Sequence, residues 1–163
     1  MSHMPLITVL FVCTGNICRS PTAEGVFRDR VTKAGWQDRF LIDSAGTGGW
    51  HIGNGPDPRS VATALARGVD IAPLRARQLQ IGDYDKFRYL IALDETHLDH
   101  MMKLKPQASG AQISLLMNYE PAGEWRDVPD PYYGGQKDFD LAYDLIARGV
   151  NGLLAALMKD KNI

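Results

Sequence analysis

The chain has 163 residues, of which 45% are hydrophobic and 23% are charged. This length fits one domain, and the balance is that of a folded protein rather than a disordered or collagen-like one. Eighteen basic and nineteen acidic residues leave a formal net charge of −1, which argues against a protein that binds nucleic acid or an anionic membrane through a basic surface. No apolar run reaches the roughly 18 residues of a membrane span, so we expect a soluble, cytoplasmic protein.

The chain contains only two cysteines, Cys13 and Cys18. Two are too few for a secreted scaffold that depends on disulfides. The first four residues lack the charged, apolar and small-residue regions of a signal peptide, and we set them aside as a cloning remnant or disordered start. We therefore predict a single domain over residues 5–163.

The first half of the chain predicts two strands and two helices. Branched residues over 6–12 are typical of a strand that is buried on both faces. Ser20 and Pro21 suit the N-cap and first position of a helix that closes at Gly35. A second strand is predicted over 40–42, ending before Ser44, and a second helix runs from 57 to a stop at Gly68.

The second half continues the alternation. We predict a strand over 89–93, a helix capped by Asp94, a strand over 113–117, and a last helix whose apolar stripe runs from Ala142 to Leu157. Alternating strands and helices predict an α/β fold in which a four-stranded parallel sheet has helices on both faces.

Two connections lack a regular pattern. The segment 46–56 is rich in glycine, and the segment 118–138 has no convincing periodicity. Long irregular loops in a compact domain are usually functional, and ligands of open α/β sheets bind at the carboxyl ends of the strands. Because both loops follow strands, we expect them on the same rim as Cys13.

The segment 13–20, Cys-Thr-Gly-Asn-Ile-Cys-Arg-Ser, lies between a predicted strand and a predicted helix. A tight loop that ends at a helix N-terminus gathers backbone N–H groups into an anion site. Gly15 and Asn16 tolerate the left-handed backbone that such a loop needs, and the planar guanidinium of Arg19 can bind two oxygens of one phosphate. The segment therefore predicts a site for phosphate or sulfate-like anions.

The same positive environment favours the thiolate form of Cys13, and a thiolate beneath a bound phosphate is placed to attack phosphorus. Ser20 could donate its hydroxyl to the sulfur and help it leave. The simpler interpretation is that Cys13 is a small core residue, as most buried cysteines are. The strand, the glycine and the Ser-Pro helix start around it favour the anion site.

A leaving alkoxide or phenolate needs a proton, and Asp130 is the best candidate to supply it. Prolines on both sides restrict its backbone, and the charge of a bound phosphate would keep the carboxyl protonated. Taken alone, Asp-Pro is equally typical of a turn. Three aromatic residues on the two irregular loops predict a wall for a flat substrate ring, although each could instead pack on the core: Trp50, Tyr132 and Tyr133.

Other patterns point to no metal or cofactor. His97 and His100 have a spacing compatible with a metal, but a solvated helix face is the better interpretation because a third ligand is not evident. Cys13 and Cys18 do not form a Cys-x-x-Cys pair, so zinc is not expected. The glycine-rich segment has the spacing of neither a dinucleotide nor a nucleoside-triphosphate loop.

The two motifs, Cys13–Pro21 and Asp130–Tyr133, resemble those of the low-molecular-weight protein tyrosine phosphatases in order, separation and chain length. The resemblance covers nearly the whole chain, including Asp43–Thr47. It implies a three-layer, flavodoxin-like sandwich around a four-stranded parallel sheet, no metal and no organic cofactor. It also implies that the substrate is phosphotyrosine in a protein or peptide.

The resemblance assigns roles to individual residues. Cys13 would form a phosphocysteine intermediate, Arg19 would bind phosphate and stabilise the transition state, and Asp130 would protonate the leaving tyrosine and then activate water. Asn16 would hold the loop, which is made up of Thr14, Gly15, Asn16, Ile17, Cys18 and Ser20, through hydrogen bonds to Ser20 and Ser44. Cys18 would be the redox partner of Cys13.

Three details refine the resemblance. Related phosphoarginine phosphatases commonly have threonine in place of Ile17, so isoleucine favours phosphotyrosine. The Asp130–Tyr133 sequence is similar to the eukaryotic-type subgroup. Many members have a histidine in place of Leu74, so the outer hydrogen bonds of the loop must differ here.

The alternatives are a phosphoarginine phosphatase or an arsenate reductase of the same fold, or a non-catalytic phosphate-binding module. The thioredoxin-coupled reductases use three cysteines and this chain has two, while a module would be expected to lack a nucleophile or an acid.

Overall fold

The computed structural model of the protein describes residues 5–161, so the first four residues and the last two of the predicted domain lie outside the described part of the chain. The sheet has four parallel strands: β1 Ile7–Cys13, β2 Phe40–Gly46, β3 Tyr89–Ala92 and β4 Gln112–Leu115. The helices are α1 Arg19–Lys33, α2 Pro58–Leu65, α3 Asp83–Lys86, α4 Glu95–Leu104 and α5 Gln136–Asp160. Short 3-10 turns cover Gln37–Arg39 and Leu116–Tyr119.

The strand order is β2-β1-β3-β4, which places β1 inside the sheet. Alternate side chains of β1 enter different cores. Val9 and Phe11 pack with residues of α1, α2 and α5, whereas Leu10 and Val12 pack with residues of α3 and α4. Because side chains alternate across a strand, a β1 that is apolar except at Thr8 requires helices on both faces. The predicted α/β architecture is confirmed.

The predicted N-cap of α1 is wrong. The helix begins at Arg19, and Cys18 occupies the N-cap position without a side-chain capping bond. Ser20 lies in the first turn, where its hydroxyl is 2.9 Å from the sulfur of Cys13. A hydroxyl that contacts this sulfur is directed away from the free N–H groups of the helix start, so it performs no capping.

Two strand boundaries also differ from the prediction. β2 extends past residue 42 to Gly46 because it pairs with β1 along the whole length of both strands. Its polar residues Asp43 and Ser44, which suggested an end, have hydrogen-bond partners inside the fold. β4 stops at Leu115, and the apolar residues Leu116 and Met117 continue as a buried 3-10 turn. Apolar character alone does not separate a strand from such a turn.

Helix α5 begins at Gln136, before its apolar stripe, and α3 has too few residues to give a periodic signal. By length and composition α5 is the one helix within residues 5–161 that could cross a membrane, with a mean hydropathy of 1.3 over its most apolar stretch. Half of that stretch is buried in the fold, where Leu145, Ile146 and Leu153 join the core. A helix at the core of a globular protein has this same composition.

Candidate active site

The loop between β1 and α1 turns its carbonyl groups outward. The carbonyls of Cys13 and Thr14 accept from the N–H groups of Thr47 and Gly48 at 2.8 and 3.0 Å, and that of Ile17 accepts from Asp57 at 2.8 Å. Within residues 5–161, the N–H groups of residues 14–18 have no protein acceptor. N–H groups left free in a tight loop next to a helix N-terminus form an anion site.

Asn16 has φ of 58°, so it adopts the left-handed conformation that the sequence predicts. Gly15 does not, because its φ is not positive. A Cβ added to Gly15 would lie 2.9 Å from the ring of His51, so the residue is small for close approach rather than for backbone freedom. Gly46, at the end of β2, serves the same purpose, since a Cβ there would lie 2.8 Å from the Thr14 carbonyl oxygen.

The sulfur of Cys13 lies at the end of a directed chain of hydrogen bonds. Asn16 Nδ2 donates to Ser20 Oγ at 2.8 Å and to Ser44 Oγ at 2.9 Å. Because Ser20 Oγ accepts from Asn16, its own proton is available to the Cys13 sulfur 2.9 Å away. The hydrogen bonds expected of Asn16 are therefore present, and they point a donor at the sulfur.

Arg19 is buried, and one of its terminal nitrogens is fully used. Nη1 donates to Asp94 Oδ2 at 2.6 Å and to the Val128 carbonyl oxygen at 2.9 Å. Nη2 lies 3.7 Å from Asp130 Oδ2, so it faces the acid loop. These contacts fix the plane of the guanidinium and leave the Nε and Nη2 edge for an anion, in the geometry that binds two phosphate oxygens.

Both irregular loops lie on the rim of one pocket, as predicted. The pocket has a volume of about 220 Å³, and its walls include the 13–19 loop, Trp50, Asp130, Tyr132 and Tyr133. The Asp130 side chain is 47% exposed, and its Oδ1 accepts from the Tyr132 N–H at 3.1 Å, which forms the turn at this position. Asp130 therefore both forms the turn and supplies the candidate acid, because the turn directs its second carboxyl oxygen towards Arg19.

The three aromatic residues stand around the pocket opening rather than in the core. Trp50 is 73% and Tyr133 is 93% exposed, while Tyr132 is partly covered. The rings of Tyr132 and Tyr133 meet edge to face with centroids 4.9 Å apart. This position suits contact with the flat face of a bound ring.

A known family matches this arrangement. The family model for low molecular weight phosphotyrosine protein phosphatase matches residues 8–163. The chain belongs to this family. A phosphatase of that name from Schizosaccharomyces pombe is 48% identical over 84% of this chain and 88% of its own length. The crystal structure of YfkJ from Bacillus subtilis has a TM-score of 0.91 at 39% identity, covering 98% of this chain and 99% of its own.

The structure of a Drosophila arginine phosphatase is also similar, with a TM-score of 0.84 and 31% identity over 91% of this chain and 96% of its own. One structure similar to this chain is therefore named an arginine phosphatase. The relatives named above come from eukaryotes and bacteria alike, so membership of the eukaryotic-type subgroup stays a prediction.

The expectation for His97 is wrong. The ring is not on a solvated helix face, since the residue is 1% exposed. Its Nδ1 accepts from the Asp94 N–H at 3.2 Å, and its Nε2 lies 2.8 Å from Thr14 Oγ1 and 3.5 Å from Arg19 Nη2. Burial, together with the charge of Arg19, lowers the pKa of His97 to about 4. The helical spacing shows only that His97 and His100 share a face, and the loop after β1 contacts His97 through Thr14 and Arg19.

Arg59 is a second residue that sequence reasoning did not assign to the site. It pairs with Asp57 at 2.9 Å and donates to the Tyr132 carbonyl oxygen at 3.0 Å. Its guanidinium lies 4.6 Å from the ring centroid of Phe139 and 5.5 Å from that of Tyr132. Arg59 therefore ties the acid loop to α2. The Pro-Asp-Pro-Arg sequence at residues 56–59, where α2 begins, was its only signal.

The side chain of Leu74 takes no part in the outer hydrogen bonds of the loop, and their difference from relatives with histidine stays a prediction. Leu74 packs against the core, and the Arg77 N–H donates to Asn16 Oδ1 at 3.0 Å. On the other side, Ser44 donates to the buried carboxylate of Glu24 at 2.6 Å. Burial raises the pKa of Glu24, although Ser44 and Arg28 act in the opposite direction. The main-chain N–H of Arg77 and the Glu24–Arg28 ion pair therefore complete the hydrogen bonds around Asn16.

Cys18 is buried beside Ser60 and close to the pocket floor. Burial raises the pKa of its thiol to about 12, with Asp57 adding to the effect. Both cysteines are free thiols in the structure. A hydrogen bond from Ser60 acts against this rise in the pKa of Cys18 without cancelling it, whereas the Ser20 hydroxyl at the Cys13 sulfur is oriented by Asn16.

Proposed function

We propose that this protein hydrolyses phosphotyrosine in proteins or peptides by a two-step displacement at Cys13. The observation that carries the proposal is the meeting of three groups at one pocket: the sulfur of Cys13, the guanidinium of Arg19 and the carboxyl of Asp130. Membership of the phosphatase family supports it. In this proposal the N–H groups of residues 14–18 and Arg19 hold the phosphoryl oxygens.

In the first step the Cys13 thiolate attacks phosphorus. An S–P bond forms as the bond from phosphorus to the tyrosyl oxygen breaks, and Asp130 gives its proton to that oxygen. The phosphoryl charge spreads over oxygens that Arg19 and the loop N–H groups contact, which stabilises the transition state. A carboxyl placed across the pocket from the nucleophile supports this assignment, because the acid must reach the leaving oxygen.

In the second step water attacks phosphorus, and the Asp130 carboxylate takes its proton. The S–P bond breaks, phosphate leaves and the thiolate is restored. The Ser20 hydroxyl, directed at the sulfur by Asn16, stabilises the departing thiolate by a hydrogen bond to a charged acceptor, the stronger class of such bonds. In this proposal no metal or organic cofactor takes part.

The phosphotyrosine assignment has one competitor within the family, phosphoarginine. The Drosophila arginine phosphatase, with its similar fold, makes that candidate specific. Ile17 favours phosphotyrosine by the resemblance to the family, and the aromatic rim of Trp50, Tyr132 and Tyr133 suits a flat phenyl ring. We also propose that the activity is cytoplasmic, because two cysteines are too few for a secreted scaffold that depends on disulfides.

The test compares turnover of matched phosphotyrosine, phosphoarginine and phosphoserine peptides by the wild type, Cys13→Ser and Asp130→Ala. We expect phosphotyrosine to be preferred, Cys13→Ser to be inactive, and Asp130→Ala to lose more kcat on phosphotyrosine than on p-nitrophenyl phosphate, whose leaving group needs less protonation. A preference for phosphoarginine would overturn the substrate assignment. Turnover by Cys13→Ser would overturn the mechanism, and equal losses on both substrates would remove Asp130 as the acid.

A further inference from the structure

The side chain of Thr14 follows the nucleophile directly and is exposed to the pocket. In this chain its hydroxyl makes one side-chain contact within residues 5–161, a 2.8 Å hydrogen bond with Nε2 of the buried His97. A buried ring whose polar atom reaches a pocket residue next to the nucleophile requires an explanation.

The direction of this hydrogen bond follows from the other ring nitrogen. The Asp94 N–H donates to Nδ1 of His97 at 3.2 Å in the capping box of α4, so the neutral ring carries its proton on Nε2 and donates it to Thr14 Oγ1. Asp94 Oδ1, 3.3 Å from the same Nδ1, already accepts from the N–H groups of Thr96 and His97. The 3.5 Å approach of Arg19 Nη2 to Nε2 is then a contact without a hydrogen bond. The low pKa of His97, about 4 as a result of burial, keeps the ring neutral in ordinary buffers. A hydroxyl that accepts from His97 keeps its own proton free for another acceptor.

The position of Arg19 indicates what that acceptor is. Nη2 of Arg19 lies 3.5 Å from the same His97 Nε2 that contacts Thr14. The Thr14 hydroxyl and the phosphate-facing edge of Arg19 therefore flank one ring nitrogen at the edge of one pocket. An oxygen held by Arg19 Nη2 would therefore lie at the same edge of the pocket as the free proton of Thr14.

We propose that the Thr14 hydroxyl donates a hydrogen bond to the phosphoryl group and that His97 is the positioning residue that turns this proton into the pocket. The inference rests on the proposed phosphatase function and adds a side-chain donor to the loop. The hydroxyl contacts substrate, whereas His97 acts only through Thr14. No proton is transferred by either residue.

The first experiment removes the hydroxyl without changing side-chain shape. We compare Thr14→Val and Thr14→Ser with the wild type for kcat/KM on p-nitrophenyl phosphate and for competitive inhibition by inorganic phosphate. A lost hydrogen bond to a charged acceptor predicts a decrease of about 10- to 100-fold in kcat/KM for Thr14→Val. We also expect a higher inhibition constant for phosphate, with Thr14→Ser within about threefold of wild type.

The second experiment tests the positioning role of His97. His97→Phe keeps a ring without nitrogens, and His97→Gln keeps an amide N–H that reaches the position of Nε2. We expect His97→Phe to approach the effect of Thr14→Val, His97→Gln to recover most of the loss, and His97→Phe to add less than about twofold in the Thr14→Val background. His100→Gln, which removes an imidazole one helix turn from any contact with Thr14, should stay within about twofold of wild type.

Unchanged kcat/KM and phosphate inhibition in Thr14→Val would overturn the proposal, as would equal losses in Thr14→Val and Thr14→Ser. Losses that multiply in the double variant would overturn the positioning role of His97. These outcomes differ from a failure of the proposed function, in which the wild type itself would not hydrolyse phosphotyrosine. The Thr14 variants keep the test decisive even if a His97 variant folds poorly, because Thr14 is exposed.

Discussion

The ion pair between Arg19 and Asp94 can be tested by replacing Asp94 with asparagine. Arg19 Nη1 lies 2.6 Å from Asp94 Oδ2, and the arginine side chain is 4% exposed. Removing the partner of a buried charge costs about 3–5 kcal/mol. Asparagine has a single carbonyl oxygen, and when that oxygen takes the Oδ1 position that caps α4, the amide N–H₂ group faces Nη1 in place of an acceptor. We therefore expect Asp94→Asn to lower the free energy of unfolding by about 3–5 kcal/mol.

Asp94 also caps α4, since its side chain accepts from the N–H groups of Thr96 and His97 at 2.8 and 3.2 Å. Asparagine caps a helix as well as aspartate does, whereas alanine does not. Asp94→Ala should therefore cost about 1 kcal/mol more than Asp94→Asn. The difference between the two variants measures the cap, and the loss in Asp94→Asn measures the charge.

Urea unfolding at neutral pH gives the stabilities, and kcat/KM on p-nitrophenyl phosphate reports the position of Arg19. We expect kcat/KM to fall by about tenfold or more in Asp94→Asn, because a misplaced guanidinium stabilises the transition state less well. Asp99→Asn is the matched control, since Asp99 is an exposed residue of the same helix. It should change stability by no more than about 0.5 kcal/mol.

The pH dependence of this loss has a definite sign. Burial by itself raises the pKa of Asp94, but the Thr96 hydrogen bond, the His97 ring and Arg19 together hold it below the ordinary 3.8. A carboxylate with a lowered pKa stabilises the fold above its unfolded value and ceases to do so as the pH falls through its folded value. The stability gap between wild type and Asp94→Asn should therefore be constant near neutrality and shrink below pH 3.8. A gap below about 0.5 kcal/mol at neutral pH, with unchanged kcat/KM, would refute the role given to this ion pair.

Three further predictions concern a buried histidine, the two cysteines and a closely packed glycine. The pKa of His97 is about 4 against an ordinary 6.5. The wild type should therefore lose about 3 kcal/mol of stability as the pH falls from 6.5 to 4, because the unfolded chain binds the proton more readily. An NMR titration of the ring near 6.5 would contradict this. Iodoacetamide at neutral pH should alkylate Cys13, and bound phosphate should protect that residue. It should spare Cys18, whose thiol pKa is about 12. Mass spectrometry that finds Cys18 modified first would contradict the assignment of Cys13 as the nucleophile. Gly152→Ala places a Cβ 1.8 Å from the Tyr119 carbonyl oxygen and should lower the free energy of unfolding in urea by about 3 kcal/mol. Gly82→Ala is the control, because open space surrounds that residue. Equal losses in the two variants would show that the close approach of α5 to Tyr119 is unimportant.

The part of the site that lies in one continuous segment was predictable from the sequence. The branched residues before Cys13, the left-handed Asn16 and the arginine at the start of α1 act within a few residues of one another. Their chemistry therefore follows from local backbone geometry, which residue type controls directly. The α/β alternation was predictable for the same reason, because periodicity reflects which faces are buried.

The ends of strands and helices were less predictable where a polar side chain contacts a residue that is distant in the sequence. Asp43 and Ser44 suggested the end of β2, yet they lie within it because Arg77 and Asn16 hydrogen-bond to their side chains. Ser20 was expected to cap a helix and instead contacts the sulfur of Cys13. In each case a tertiary contact replaced the local role that the residue type favours.

The length and composition of the chain determined that this is one folded domain, while the alternating apolar patterns and the motif around the two cysteines determined an α/β fold with an anion loop near its start. Both follow from local periodicity and residue chemistry. Only the tertiary structure decided that His97 is buried against Thr14, 83 positions away, and that Asp94 and Asp130 flank Arg19. The parallel strands bring their carboxyl ends to one edge, and contacts at that edge depend on strand order. Strand order has no local signal in the sequence, so the partners of the loop became known only with the fold.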